Sequence, residues 1–139
     1  MLALAAAIAV VLGALAALHV YWAIGGRWGA QAAVPERAGA PLFNPSAGSC
    51  VVVAALLLCA ALVVSSKAWG WSLSFLPRWW SFVAALGVAL VFTGRAVGDF
   101  RWVGFFKKER STRFARLDTF VYSPLCFLLG VGSLFVALE

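Results

Sequence analysis

Charged side chains are scarce in this chain, and acidic ones are the scarcer. Its 139 residues include five Asp and Glu against 11 Lys and Arg, whereas 64% are hydrophobic. Soluble domains have an apolar share of about 45–50%, so this composition excludes an ordinary soluble domain. The net charge of +6 indicates contact with anionic lipid headgroups rather than nucleic acid, because the basic residues flank apolar segments. We therefore expect a single membrane domain over residues 1–139, with membrane lipids as its partners and no nucleic-acid partner.

Redox and metal-binding side chains are also few. The cysteines, Cys50, Cys59 and Cys126, form no C-x-x-C pair, which excludes dithiol exchange, and we expect them to pack as small apolar side chains. The single histidine, His19, cannot supply two axial ligands to a haem. Together with two aspartates it is too generic a set for zinc. The sequence therefore predicts no metal and no cofactor.

Four long apolar runs are the main positive feature of the chain. They cover residues 2–24, 47–66, 79–98 and 117–138, and each is close to the ~20 residues that a helix needs to cross ~30 Å of hydrocarbon. The first run lacks the basic region that precedes a cleaved signal peptide, so we keep it as a helix. The sequence predicts an all-α membrane protein, a four-transmembrane-helix bundle with a basic cytoplasmic surface loop between helices three and four.

The cations are distributed unevenly between the two ends of such a bundle. Four crossings place the first and third connections on one side, and the second connection with both termini on the other. Lys67 and Arg78 fall on the latter side, and nine cations fall on the former: Arg27, Arg37, Arg95, Arg101, Lys107, Lys108, Arg110, Arg113 and Arg116. Because short basic connections resist translocation, we expect this side to be cytoplasmic and both termini to be outside.

Glycine, proline and capping residues mark the helix ends. Gly25 and Gly26 should end the first helix, and the Asn-Pro-Ser run that closes at Ser46 should begin the second. Pro124 removes the donor that the Phe120 carbonyl would need, so we expect a kink there that leaves this acceptor free. Further helix starts are indicated by Pro77 with Arg78 and by Ser111 or Thr112.

Ionisable groups at the basic end form a candidate binding site. Such groups are costly inside a membrane and need a partner or a wet cavity, and Arg95 can pair with Asp99 or Asp118. Three interpretations stay open: a structural ion-pair network, a shallow pocket for a lipid-like or small anionic ligand, and an active site with His19 as general base. The candidate ligand-binding residues are His19, Tyr21, Arg95, Asp99, Arg101, Asp118 and Tyr122, and the candidate lipid-headgroup contacts are Lys107, Lys108, Arg110, Arg113 and Arg116.

Small residues offer a rival, non-catalytic role. The G-x-x-x-G spacing of Gly94 and Gly98, the pair Gly13 and Ala17, and a glycine-rich stretch around Gly130 would let helix backbones approach closely. Such faces suit a structural or partner subunit of a membrane complex, or a homo-oligomer.

Four separated motifs resemble one known family. They are LHVYWAIGG at 18–26, RAVGDFRWVGFFK at 95–107, TRFARLDT at 112–119 and YSPLC at 122–126. Together they resemble a family of small bacterial multi-pass membrane proteins catalogued only as a domain of unknown function. The resemblance implies a four-helix membrane fold of about this length in a bacterial cytoplasmic (inner) membrane, and it supplies no catalytic residues.

Overall fold

The computed structural model of the chain describes residues 1–71, 77 and 79–139. Within these residues, four helices are long and apolar enough to cross a membrane: α1 (Leu2–Ala23), α2 (Ala47–Trp69), α3 (Trp80–Val97) and α4 (Arg113–Leu138). This confirms the predicted all-α fold with four spans. Helix α4 begins four residues before the apolar run at 117, directly after its cap Thr112, and its first turn carries the exposed side chains of Arg113 and Arg116. Helix α3 begins after Pro77, and the prediction for Arg78 lies outside the described residues.

The helices pack mainly in two pairs, α1 with α2 and α3 with α4. A buried apolar cluster joins the pairs and consists of Ala5, Ile8, Leu12, Val64, Leu129 and Val136. Close packing of the helices keeps this apolar surface away from solvent and lipid. Small residues of α4 make this close packing possible. A Cβ on Gly130 would meet Thr93 of α3, and one on Gly132 would meet Ile8 of α1. The predicted role of this glycine-rich stretch in helix packing is confirmed.

The other predicted small-residue contacts are not made between helices of the described chain. An added Cβ would meet nothing within 4 Å at either Gly13 or Gly94, so neither residue brings two of these helices together, and their contact with another chain stays a prediction. Gly98 lies beyond the end of α3 with φ of 88°. Its freedom from a side chain serves the turn after the helix, since positive φ is readily available to glycine alone.

The predicted capping residues are confirmed. Gly25 has φ of 97° and follows the last turn of α1. The Ser46 side chain accepts a hydrogen bond from Ser49 N at 3.1 Å, and Thr112 does the same for Ala115 N at 3.1 Å. Each cap satisfies an N–H that the first turn of a helix leaves unpaired.

Where the sequence predicted a kink at Pro124, the structure has a π-helical turn over Asp118–Tyr122 within α4. In this turn the N–H of Ser123 donates to the Asp118 carbonyl, five residues back. The π-helical turn contains one residue more than a regular turn and so accommodates Pro124, which has no N–H to donate. The extra residue also changes which side chains of α4 face the protein.

The first connection is more ordered than a loop. It contains a 3₁₀ turn (Gln31–Ala33) and a two-stranded antiparallel hairpin, β1 (Glu36–Arg37) and β2 (Ala40–Pro41), in which Glu36 is opposite Pro41. The Tyr122 hydroxyl of α4 donates to the Ala32 carbonyl of this connection at 3.0 Å. The first and third connections therefore lie at the same end of the bundle, as the four-crossing topology predicts.

Candidate functional site

Asp118 is the centre of a buried ion network at that end of the bundle. Its side chain is fully buried, with 0% exposure. Oδ1 accepts from Arg95 Nη2 at 2.9 Å, and Oδ2 accepts from the backbone N–H of Gly104 at 2.8 Å and from Lys107 Nζ at 3.0 Å. Of the two partners predicted for Arg95, the structure thus selects Asp118.

Lys107 completes this network and is itself buried, at 2% exposure. Besides Asp118, its ammonium donates to the Gly104 carbonyl at 3.0 Å and to Thr119 Oγ1 at 2.6 Å. An ammonium has three donors, and here all three have acceptors. The predicted contact of Lys107 with lipid headgroups is therefore wrong, because a buried carboxylate holds this cation inside the protein. The exposed side chains of Lys108, Arg110, Arg113 and Arg116 leave the prediction for those four residues open.

Asp99 organises the turn that brings Gly104 and Lys107 to Asp118. One carboxylate oxygen accepts hydrogen bonds from three successive backbone N–H groups at 2.7–2.9 Å, those of Arg101, Trp102 and Val103. Desolvation acts to raise the pKa of Asp99, but these donors outweigh it and hold the pKa below its ordinary value. Because α3 ends at Val97, the prediction that Asp99 shares a helix face with Arg95 is wrong.

Two glycines permit this compact turn. Gly98 and Gly104 have φ of 88° and 91°, and a Cβ on either would overlap backbone atoms of the other side of the turn. Phe105 N also donates to the Ala96 carbonyl at 2.8 Å, which ties the turn to the end of α3. The motif at residues 95–107 therefore encodes a folded turn. The signals for this role in the sequence are the pair Gly98 and Asp99 directly after the helix and the second glycine, Gly104.

His19 lies in a different place from the Asp118 network. Its Nδ1 donates to the Leu15 carbonyl at 2.8 Å within α1, and its ring contacts the Trp22 ring edge-on with centroids 4.9 Å apart. Among the described residues, no hydrogen bond or ion pair joins His19 to Arg95 or Asp118. The predicted single constellation is thus divided between the α1–α2 pair and the α3–α4 pair.

The remaining candidate residues make local contacts. Exposed Tyr21 covers Gly26, and its hydroxyl accepts from Trp28 N at 3.5 Å. The Arg101 guanidinium lies over the Trp102 ring, 5.2 Å from its centroid. These contacts lie at the ends of the connections. A cavity beside His19 is not lined by any of the three predicted residues Tyr21, Arg101 and Tyr122.

That cavity, which we call the His19 cavity, has a volume of about 410 Å³ and lies between α1, α2 and the first connection. Most of its wall is apolar or aromatic, and the polar contributors are His19, Ser49 and the thiol of Cys50. A carbonyl can only accept, so Nδ1 carries the hydrogen in its bond to Leu15 and the neutral ring has Nε2 as an acceptor. The Ser49 hydroxyl donates to the Ser46 carbonyl at 2.7 Å and keeps its own acceptor capacity. The cavity therefore offers acceptors within an apolar enclosure.

Metal binding has no geometric support in the part of the chain that the structure describes. Over residues 1–71, 77 and 79–139, no three of His, Cys, Asp and Glu come together as a metal-binding group. The cavity holds one histidine and one cysteine, and the aspartates are committed to the turn and to the ion network. At the cavity, His19, Ser49 and Cys50 can supply hydrogen bonds.

Comparison with known proteins identifies one family. The family model described as "Protein of unknown function (DUF3995)" matches residues 11–133, a range that contains all four sequence motifs. No curated protein and no solved structure matches the chain. The resemblance to a family of unknown function is confirmed.

Proposed function

We propose that this chain, which belongs to the DUF3995 family, is a membrane-embedded binding protein that holds a small lipid-like molecule in the His19 cavity. The observation that carries the proposal is the combination of about 410 Å³ of space, a largely apolar wall and one histidine at a helix position within a span. Small-molecule sites typically have ~300–1,000 Å³ and a few placed polar groups in an apolar lining. Ionisable groups within spans also mark functional positions more often than not.

The polar groups of the cavity favour a ligand with a hydrogen-bond donor. His19 Nε2 and the Ser49 hydroxyl oxygen are acceptors, whereas the indole N–H of Trp22 is already bonded to the Trp28 carbonyl at 2.8 Å. A hydroxyl on the ligand would satisfy Nε2. Such a bond contributes ~1 kcal/mol, about fivefold in affinity.

The Asp118 network gives less support to an anionic ligand. All three donors of Lys107 are used within the protein, and the Asp118 carboxylate accepts hydrogen bonds from Arg95, Gly104 and Lys107. These contacts favour a structural role for Arg95, Lys107 and Asp118, which is one of the three interpretations of the sequence. The arrangement predicted for a general-base His19, with Asp99 or Asp118 orienting the ring, is not formed, because Asp99 and Asp118 have other partners and His19 Nδ1 donates to the Leu15 carbonyl.

The charge distribution supports an orientation for this binding site. Nine of the 11 cations flank the first and third connections, which lie together at one end of the bundle. We place this end in the cytoplasm of a bacterial inner membrane, with both termini outside, by the positive-inside rule. The His19 cavity then opens towards the cytoplasmic leaflet.

Photolabelling tests the proposal. The full chain in phosphatidylcholine nanodiscs is irradiated with a long-chain alcohol that carries a diazirine on its alkyl chain, and labelled peptides are identified by mass spectrometry. We expect labelling concentrated on cavity residues such as Val34 and Val53, competed by unlabelled dodecanol, and reduced severalfold by His19→Leu. The matched control is Tyr21→Phe, which lies two residues away outside the cavity. Labelling spread evenly over the lipid-facing residues of α3, and unchanged by His19→Leu, would overturn the proposal.

A further inference from the structure

A second cavity adjoins the His19 cavity within the first connection. It has a volume of about 360 Å³, and four residues line both cavities: Ala30, Val34, Phe43 and Pro45. The two spaces therefore adjoin each other and share these residues as part of their walls. We call the second space the hairpin cavity, since β1 and β2 supply Glu36 and Pro41 to its wall.

The two cavities differ in polarity. Gln31, Glu36 and Asn44 contribute polar groups to the hairpin cavity beside its apolar residues, whereas the apolar share of the wall is larger in the His19 cavity. A mostly apolar compartment beside a more polar one matches a molecule with an alkyl portion and a polar head. The polar compartment also belongs to a connection outside the spans, where a polar head meets no hydrocarbon.

Glu36 determines which sign of charge this polar compartment favours. Among residues 1–71, 77 and 79–139, it is the one Asp, Glu, Lys or Arg that lines either cavity. The two ion pairs found in that part of the chain both involve Asp118 and do not include Glu36. Its neighbour Arg37 is exposed and follows it in a strand, where successive side chains point to opposite faces. The pairing of Glu36 with Pro41 fixes the backbone beneath the carboxylate. The hairpin cavity is therefore a place of negative charge in a chain whose net charge is +6.

We infer that the ligand is a cationic amphiphile, a long-chain amine whose ammonium head lies against Glu36 while its alkyl chain occupies the His19 cavity. The inference rests on the proposed function, because it assumes that the His19 cavity takes an alkyl chain. Gln31 and Asn44 supply amide oxygens for the remaining donors of the ammonium. A carboxylate or phosphate head would face Glu36 with like charge and no cation in the wall of either cavity.

Displacement of the photoactivatable alcohol tests the head-group class. Dodecylamine, dodecanol and dodecanoate share one chain length and differ in head charge, and each is titrated against the probe in phosphatidylcholine nanodiscs at pH 7. For the wild-type chain we expect dodecylamine to compete about fivefold better than dodecanol, in the range of a partly exposed ion pair, and dodecanoate to compete worst. Glu36→Gln should remove the advantage of the amine and leave dodecanol unchanged.

The matched control is Glu109→Gln, which removes an equal charge from the third connection, outside both cavities. Glu36 makes no side-chain hydrogen bond within the described residues, so its substitution should leave the melting temperature unchanged, which a thermal scan checks. Equal competition by amine and alcohol, or a Glu36→Gln effect matched by Glu109→Gln, would overturn the inference while the proposed alkyl site stands. The best competition by dodecanoate would also overturn it. If no competitor reduces labelling of the cavity, the proposed function itself fails.

Discussion

Replacement of Asp118 by asparagine should strongly destabilise the fold. The carboxylate is fully buried and accepts hydrogen bonds from Arg95, Gly104 and Lys107. Asparagine has nearly the same shape, but it removes the charge and presents an N–H₂ group to one of these donors. Removing one partner of a buried ion pair costs ~3–5 kcal/mol, because the other charge is left without compensation. Since whole domains are stable by ~5–15 kcal/mol, Asp118→Asn should cost a large share of the stability.

A double-mutant cycle identifies the cause of this loss. Lys107→Met leaves Asp118 with Arg95 and the Gly104 N–H, so it should cost less than Asp118→Asn. The double variant should be more stable than the sum of the two losses predicts, because it removes the ammonium that Asp118→Asn leaves unpaired. We expect a coupling free energy of ~1–3 kcal/mol, typical of residues within one ion-pair network.

Reversible unfolding of the full chain measures these values. The chain is titrated in mixed micelles with an increasing fraction of denaturing detergent, and helicity reports the folded fraction. The control is Glu109→Gln, an exposed site whose partner is Ser111 of the same turn, for which we expect a change within ~0.5 kcal/mol. If Asp118→Asn were as harmless as Glu109→Gln, or if the two substitutions in the cycle were additive, the network would not stabilise the fold as we infer.

Three further perturbations test the parts around this network. Gly98→Ala should destabilise the fold by more than ~1 kcal/mol in the same titration, because the φ of 88° at this position and the overlap of a Cβ with the turn oppose a side chain. Gly13→Ala, where a Cβ would meet open space, should be neutral or stabilising. Asp99 has a pKa below its ordinary 3.8 in the folded chain, so its stabilising effect is complete above that value and is lost as the pH falls through the folded pKa. Asp99→Asn should therefore lack this part of the acid sensitivity. If the variant unfolded with the same pH profile as the wild-type chain, the assignment would be contradicted. Tyr122→Phe removes the hydrogen bond to the Ala32 carbonyl and should cost ~1 kcal/mol and speed hydrogen exchange in the first connection; unchanged exchange would show that this bond does not hold the connection.

Local signals account for the parts of the fold that the sequence predicted correctly. The length and hydropathy of the apolar runs define four spans, because burial in hydrocarbon requires a continuous apolar helix whatever its neighbours are. Caps act over three residues, so Ser46 and Thr112 could be recognised without a tertiary structure. Pro124 marked the place in α4 where regular hydrogen bonding changes, but the π-helical turn there was not predicted.

The predictions that failed applied a local sequence pattern beyond the end of a helix or to side chains whose partners are distant in the sequence. Helical periodicity places Arg95 and Asp99 on one face only if the helix continues, and α3 ends at Val97. A basic stretch beside a span is typical of a lipid-facing loop, yet Lys107 is drawn inside by a carboxylate 11 residues further along the chain. The topology places His19 and Asp118 at the same end of the bundle, but the two side chains do not contact each other.

The sequence by itself determined that this chain is a four-helix membrane protein, where most of its helices begin and end, and which end collects the cations. Only the tertiary structure decided that Asp118 pairs with Arg95 and Lys107, and that His19 lines an apolar cavity beside Glu36. The reason is physical: hydropathy and capping act along the chain over a few residues, whereas the partner of a buried charge depends on which helices pack together and on the turn that joins them.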